Sequence, residues 1–162
     1  MGKLVSWIAL AFFVVVVPFI SWYYLKLGYN YRKQILAEVK VKDSIDILLD
    51  SIDVFKAKTT VLILKRTDKS NNLSKGLLEQ FKNMNGFQVA SYDSLSTNTT
   101  IVPNTYLTNL QSKYQGNSVL LIDTSLRIRN AYNDDPASIK KLIEHIAVIL
   151  PRQKEADIKM KK

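Results

Sequence analysis

From residue 4 to residue 25 the chain runs for 22 residues without a charged side chain, LVSWIALAFFVVVVPFISWYYL. At about 1.5 Å per residue, a helix of that length is roughly 33 Å long, enough to cross a hydrocarbon core of about 30 Å. Trp7 lies near one end and Trp22, Tyr23 and Tyr24 near the other, the distribution of an interfacial aromatic belt. Pro18 stands inside the run, which a membrane helix tolerates. A cleaved signal peptide is the competing reading, but its apolar core spans about 7–15 residues and ends in small side chains. This run is longer and ends in the bulky Ser-Trp-Tyr-Tyr-Leu. It predicts an uncleaved transmembrane anchor over residues 1–25 and a single-pass membrane protein.

What the rest of the chain can do is bounded by what it lacks. The 162 residues contain no cysteine and one histidine. Disulfides, thiolate metal sites, CxxC redox chemistry and thiol nucleophiles are therefore excluded, and a multi-histidine metal site is remote. No paired carboxylates, P-loop or nucleophile elbow is apparent, and glycine totals only five. The expectation is a protein that is not an enzyme, with no catalytic, cofactor-binding or metal-binding residues and no cofactor. Lys and Arg number 23 against 14 Asp and Glu, a net charge of +9. That excess raises nucleic acid as a partner, but the basic residues are scattered and no recognition motif accompanies them. Several lie beside the anchor, where the lipid bilayer is the nearer anion.

Residues 26–58 read as a juxtamembrane connector followed by an amphipathic helix. The connector, KLGYNYRKQILAEVKVK, is basic with interleaved Tyr29, Tyr31, Ile35, Leu36 and Val39. It suits a helix leaving the membrane or lying on it, where each basic residue gains about 1 kcal/mol near anionic head groups; a solvated connector is the alternative. In DSIDILLDSIDVFKAK, Ile45, Leu48, Leu49 and Ile52 recur at helical spacing. The aspartates at 43, 46, 50 and 53 lack the glycine turn and closing glutamate of a calcium loop.

Residues 59–151 read as alternating strands and helices. TTVLIL (59–64) is a buried strand, KRTDKSNN (65–72) a polar loop, and 73–84 a helix with Leu77, Leu78 and Phe81 on one face and Ser74 as its cap. Asn85-Gly86 signals a turn before the strand FQVASY (87–92). Residues 93–104 form a surface loop, and 105–114 a short helix closed at Gly116. SVLLI (118–122) turns through Asp123-Thr124-Ser125 into RIRNAY (127–132), an antiparallel partner. An amphipathic helix over 136–150 carries Ile139, Leu142, Ile143, Ile146 and Leu150, with Asp134 or Asp135 as cap and Pro136 in the first turn. A basic tail, residues 152–162, ends the chain. The order β-α-β-(α)-β-β-α predicts an α/β sandwich.

The stretch VLLIDTSLRIRNAYNDDPASIKKLIEHIAVIL resembles the closing hairpin and helix of the SCO/SenC family. The matching positions are Leu121-Ile122-Asp123, then Ile128-Arg129-Asn130-Ala131-Tyr132, then the helix from Pro136. One membrane anchor followed by a Tyr/Lys/Arg-rich connector is similar to that family too. The resemblance implies a thioredoxin-like α/β domain behind a single N-terminal transmembrane helix. The family holds copper through Cys-x-x-x-Cys after a buried strand and a histidine before the Leu-Val-Asp strand. Here the first loop reads Lys65-Arg66-Thr67-Asp68-Lys69-Ser70-Asn71 and the second Tyr114-Gln115-Gly116-Asn117, so all three ligands are absent. Copper handling and dithiol exchange need thiolate or imidazole, so the chain reads as a degenerate member.

The resemblance implies an accessory subunit or assembly factor of a respiratory membrane complex, a cytochrome oxidase or an attached quinol-oxidising complex containing haem proteins. It places the soluble domain on the periplasmic side of the cytoplasmic membrane. The basic residues after the anchor point the other way under the positive-inside rule; we follow the resemblance. A generic membrane-tethered scaffold is the alternative. Among individual residues, Lys65, Arg66 and Lys69 form a candidate contact for an acidic partner. Arg127 and Arg129 alternate on one hairpin face as a candidate anionic docking pair. His145 counts onto an exposed helix face with Ser138 and Lys141.

Overall fold

The computed structural model describes residues 2–44, 55–93 and 98–150, and the chain divides into two compact units, one ending at Glu38 and the other beginning at Val39. The first unit is a single helix, α1 (Gly2–Glu38). Leu10, Phe13, Val15, Phe19 and Leu25 are each more than half exposed on it. A helix bare and apolar on all sides suits hydrocarbon rather than water. Within Leu10–Glu38 an 18-residue stretch reaches a mean hydropathy of 1.8, so the helix is long and apolar enough to cross a membrane. The helix does not stop where the apolar run does: the basic connector continues it for more than three further turns, since no proline or glycine pair intervenes.

The second unit contains strands β1 (Asp43–Ser44), β2 (Thr59–Ile63), β3 (Phe87–Ser91), β4 (Thr100–Ile101), β5 (Val119–Ile122) and β6 (Arg127–Tyr132). Its helices are α2 (Asp68–Gln80), α3 (Asn104–Lys113) and α4 (Pro136–Ile149). Among the described residues the strands form one six-stranded sheet, ordered β1-β6-β5-β2-β3-β4. β2, β3 and β4 run parallel to one another; β5 and β6 are antiparallel partners on the other side of β2. The central strands read as unbroken apolar runs because both faces of the sheet are covered.

Strand alternation divides the core into two layers. Leu62, Leu64, Ala90, Leu120, Ile122 and Ile128 pack with Leu107 and Leu110 of α3. Val61, Ile63, Val89 and Leu121 take the opposite face, the side of α2 and α4, whose Leu77, Leu142 and Ile146 are fully buried. Each such side chain contributes about 1.5–3 kcal/mol on leaving water.

A register shift in the β5–β6 hairpin decides what faces which layer. Leu121 pairs with Asn130, but Ile122 pairs with Ile128, leaving Arg129 as the extra residue of a β-bulge. In a regular strand Ile128 and Tyr132 would share a face. The bulge inverts the parity, so Ile128 faces α3 while Tyr132 faces α4. Leu126 turns the hairpin at φ 62°, a left-handed conformation that costs a leucine about 1–2 kcal/mol.

Three expectations change in the fold. The helix expected to begin near Ser74 begins at Asp68, because Thr67 and Ser70 form a reciprocal capping box. That polar first turn carries no apolar periodicity, so residues 68–72 read as loop. Ser74 is fully buried inside α2, its hydroxyl 3.4 Å from that of Thr99. The surface loop expected over 93–104 ends in β4, which adds a short strand beside β3. Asp43 and Ser44 are the edge strand of the sheet rather than the start of a helix, pairing with Ile128 and Arg127. The remainder of that expected helix falls largely on residues 45–54, outside the described residues, as do Asp46, Asp50 and Asp53 and the tail 152–162. Phe55 sits in the α3-side core. At α4 the cap is Asp135, whose carboxylate accepts the amide of Ser138 at 2.9 Å, with Pro136 at the first position.

Candidate functional site

The first turn of α2 follows β2 directly and carries Thr67, Asp68, Lys69 and Ser70. A thiol at a helix N-terminus is activated by the helix field; here hydroxyls stand instead, and both are engaged in capping. Ser70 N–H donates to Thr67 Oγ1 at 3.1 Å, Thr67 N–H donates to Ser70 Oγ at 2.9 Å, and the Ser70 hydroxyl donates to the Thr67 carbonyl at 2.7 Å. With its proton directed to a carbonyl and Ser70 itself buried, this hydroxyl is a structural group. Of the expected basic contact, Lys65 and Lys69 are exposed, whereas Arg66 pairs with Asp93 across the loop. Beside the turn a cleft of about 290 Å3 opens between α2 and α4, lined by Lys69, Ser70, Leu73, Val119, Pro136 and Ile139. Its lining is mostly apolar, with Lys69 and Asp134 as its charged members.

The two hairpin arginines do not act as a pair. Arg127 is exposed, but Arg129, displaced by the bulge, folds back on Asp123. Its Nε donates to Asp123 Oδ2 at 2.7 Å, and the ion pair closes at 2.6 Å through its second nitrogen. Asp123 Oδ1 accepts the amides of Ser125 and Arg127 at 2.8 and 2.9 Å. Asp123 is 4% exposed, so this carboxylate is the internal clasp of the turn. The Asp and Arg that carry the SCO/SenC resemblance are thus accounted for by architecture.

His145 is the clearest correction. It is buried rather than exposed, because it lies one turn from Leu142 and beside Ile146 on the face of α4 that meets the sheet. Its Nδ1 is 2.6 Å from the Tyr132 hydroxyl, which is also buried. The bulge at Arg129, which turns Tyr132 toward α4, left no mark in the apolar pattern.

At the sheet edge, Asp43 meets Lys113 in an ion pair, and the Tyr114 hydroxyl donates to the same carboxylate at 3.3 Å. The hydrogen bond from Lys113 holds the Asp43 carboxyl below the ordinary carboxylate range, and the same bond holds Lys113 above the ordinary lysine range. Burial, then the Asp43 charge, raises the Tyr114 phenol. The hydrogen bonds from Ser138 lower Asp135. Each of these groups has a structural partner that explains it.

No protein-family model matches the chain, and no curated protein matches it. Among solved structures, one described as the thiol:disulfide interchange protein DsbE from Chlorobium tepidum superposes with a TM-score of 0.51 at 12% identity, covering 70% of this chain and 99% of that one. The fold is thioredoxin-like. A weaker likeness, to a structure described as apo Trgpx, has a TM-score of 0.38 at 14% identity over 67% of this chain and 92% of that one. Thiol:disulfide interchange runs through a thiolate, and this thioredoxin-like domain has no cysteine to supply one.

Proposed function

We propose that this chain is a non-catalytic accessory subunit or assembly-stabilising factor of a respiratory membrane complex, a cytochrome oxidase or an associated quinol-oxidising complex. In this reading α1 anchors the chain by a single pass in the cytoplasmic membrane, and the thioredoxin-like domain docks on the periplasmic side. The observation that carries the reading is the α2 turn, where Thr67 and Ser70 cap the helix and no thiol stands. A thioredoxin-like domain stripped of sulfur chemistry retains its shape, its exposed Lys65 and Lys69, and the apolar cleft beside them. Those are means of binding a protein, not of transforming a substrate. The SCO/SenC-like hairpin supplies the respiratory assignment.

The test is a mild-detergent pull-down of the full-length protein, read by haem absorbance and mass spectrometry. The expected result is stoichiometric cytochromes together with oxidase or quinol-oxidising subunits. Recovery of partners without haem or any respiratory subunit refutes the assignment and leaves a generic membrane-tethered scaffold.

A further inference from the structure

α1 presents one chemically distinct stripe where its apolar run ends. At 3.6 residues per turn, Trp22, Lys26, Tyr29 and Lys33 fall within an arc of about 60° on the helix surface. The Lys26 ammonium sits over the Trp22 ring, 4.9 Å from its centroid. Trp22 and Tyr29 are 58% and 68% exposed, and Lys26 and Lys33 are exposed as well. The opposite face of the same turns carries Tyr24, Leu27 and Tyr31 and no charge. Arg32 flanks the stripe, and the sequence has no acidic residue before Glu38. A run of cations and amphipathic rings with no carboxylate of its own helix beside it is built to meet an external anion.

We infer that this stripe is a headgroup-binding surface selective for anionic phospholipid. The inference rests on α1 crossing the membrane, and it is independent of the respiratory assignment. Height along the helix favours lipid over a soluble partner. With the hydrocarbon edge near Leu25, Lys26 stands at the base of a headgroup layer about 5–8 Å deep. Tyr29 lies about 4.5 Å further out, and Lys33 about 10 Å from Lys26, within a Debye length of the charged surface. The Trp22 ring and the lysine stem bury apolar area at the acyl boundary while the ammonium reaches the phosphate. The occupant is therefore the phosphodiester of a lipid in the bilayer that the preceding turns traverse.

The chain has two tryptophans, so Trp7→Phe leaves Trp22 as the sole tryptophan reporter. The full-length W7F protein is reconstituted in phosphatidylcholine vesicles containing equal fractions of either phosphatidylglycerol or phosphatidylcholine brominated near the headgroup end of the acyl chain. Brominated phosphatidylglycerol is expected to quench Trp22 with a preference of about fivefold for each engaged lysine. The preference falls to near one in K26Q/K33Q and weakens in high salt. Equal quenching by the two lipids overturns the inference while leaving α1 in the membrane, and points to a protein partner for the stripe. A preference that survives K26Q/K33Q also overturns it. No quenching by either lipid takes Trp22 out of the bilayer and overturns both the inference and the membrane reading beneath it.

Discussion

Tyr132→Phe removes one oxygen from the layer between β6 and α4, and the structure sets the size of the effect. Tyr132 and His145 are 4% and 2% exposed, and their hydrogen bond spans 2.6 Å. Their rings lie 5.8 Å apart between centroids, so phenylalanine fills the same volume and creates no cavity. What remains is the loss of the partner that Nδ1 has in the hydroxyl, for which about 1–3 kcal/mol is expected. With a urea slope of about 2 kcal/mol/M, the unfolding midpoint of the full-length protein in mild detergent should fall by roughly 0.5–1.5 M. His145→Leu removes the imidazole that meets the Tyr132 hydroxyl and should cost a similar amount. Because the two groups serve each other, Y132F/H145L should cost less than the sum of the single variants, with a coupling of about 1–2 kcal/mol. Far-UV circular dichroism reads the transition. A Y132F midpoint indistinguishable from wild type, or a strictly additive double variant, would refute the argument that the bulge builds a buried polar pair.

Two further outcomes follow from the hairpin and the sheet edge. Asp123→Asn keeps the side chain's shape but removes the charge that holds Arg129 and the turn amides. Breaking one side of a buried pair costs about 3–5 kcal/mol, and Arg129 is partly in solvent, so a loss of about 2–3 kcal/mol is expected, measured by urea unfolding; an unchanged midpoint would show the clasp to be dispensable. Asp43, lowered by Lys113, binds fewer protons folded than unfolded near pH 4, so its contribution holds above that range and fades as pH falls through the lowered value. Lys113, raised by Asp43, contributes below the ordinary lysine range and loses that contribution as pH rises through its raised value. The midpoint difference between wild type and D43N should therefore be level near neutrality and shrink at both extremes, and a difference that widens toward acid would contradict the pairing.

Some of this was legible in the chain because it rests on local rules. The uncharged run over 4–25 read as one long apolar helix because nothing in it but Pro18 opposes helix, and α1 covers it throughout. Strands β2 and β5 read as short β-branched apolar runs because both of their faces are buried, and α4 announced itself through Asp135, Pro136 and a spaced apolar face. The absence of cysteine excluded thiol chemistry before any fold was known. α2 was misread at its start for an equally local reason: its first turn is held by polar capping, which apolar periodicity does not register.

Tertiary structure decided the rest. Whether Arg129 sits on a docking face or in a clasp depends on one unpaired residue in a register between two strands, and register is set by pairing across the sheet. That same residue inverted the parity of β6 and turned Tyr132 toward α4, where its hydroxyl meets the buried His145. Asp43 found Lys113 and Tyr114 some seventy positions away only because the sheet edge brings them together. Composition and periodicity act over a few residues, and they were enough for the long apolar helix, the fold class and the absence of thiol chemistry. Which polar side chains meet is a property of long-range register, and a sequence read one window at a time does not contain it.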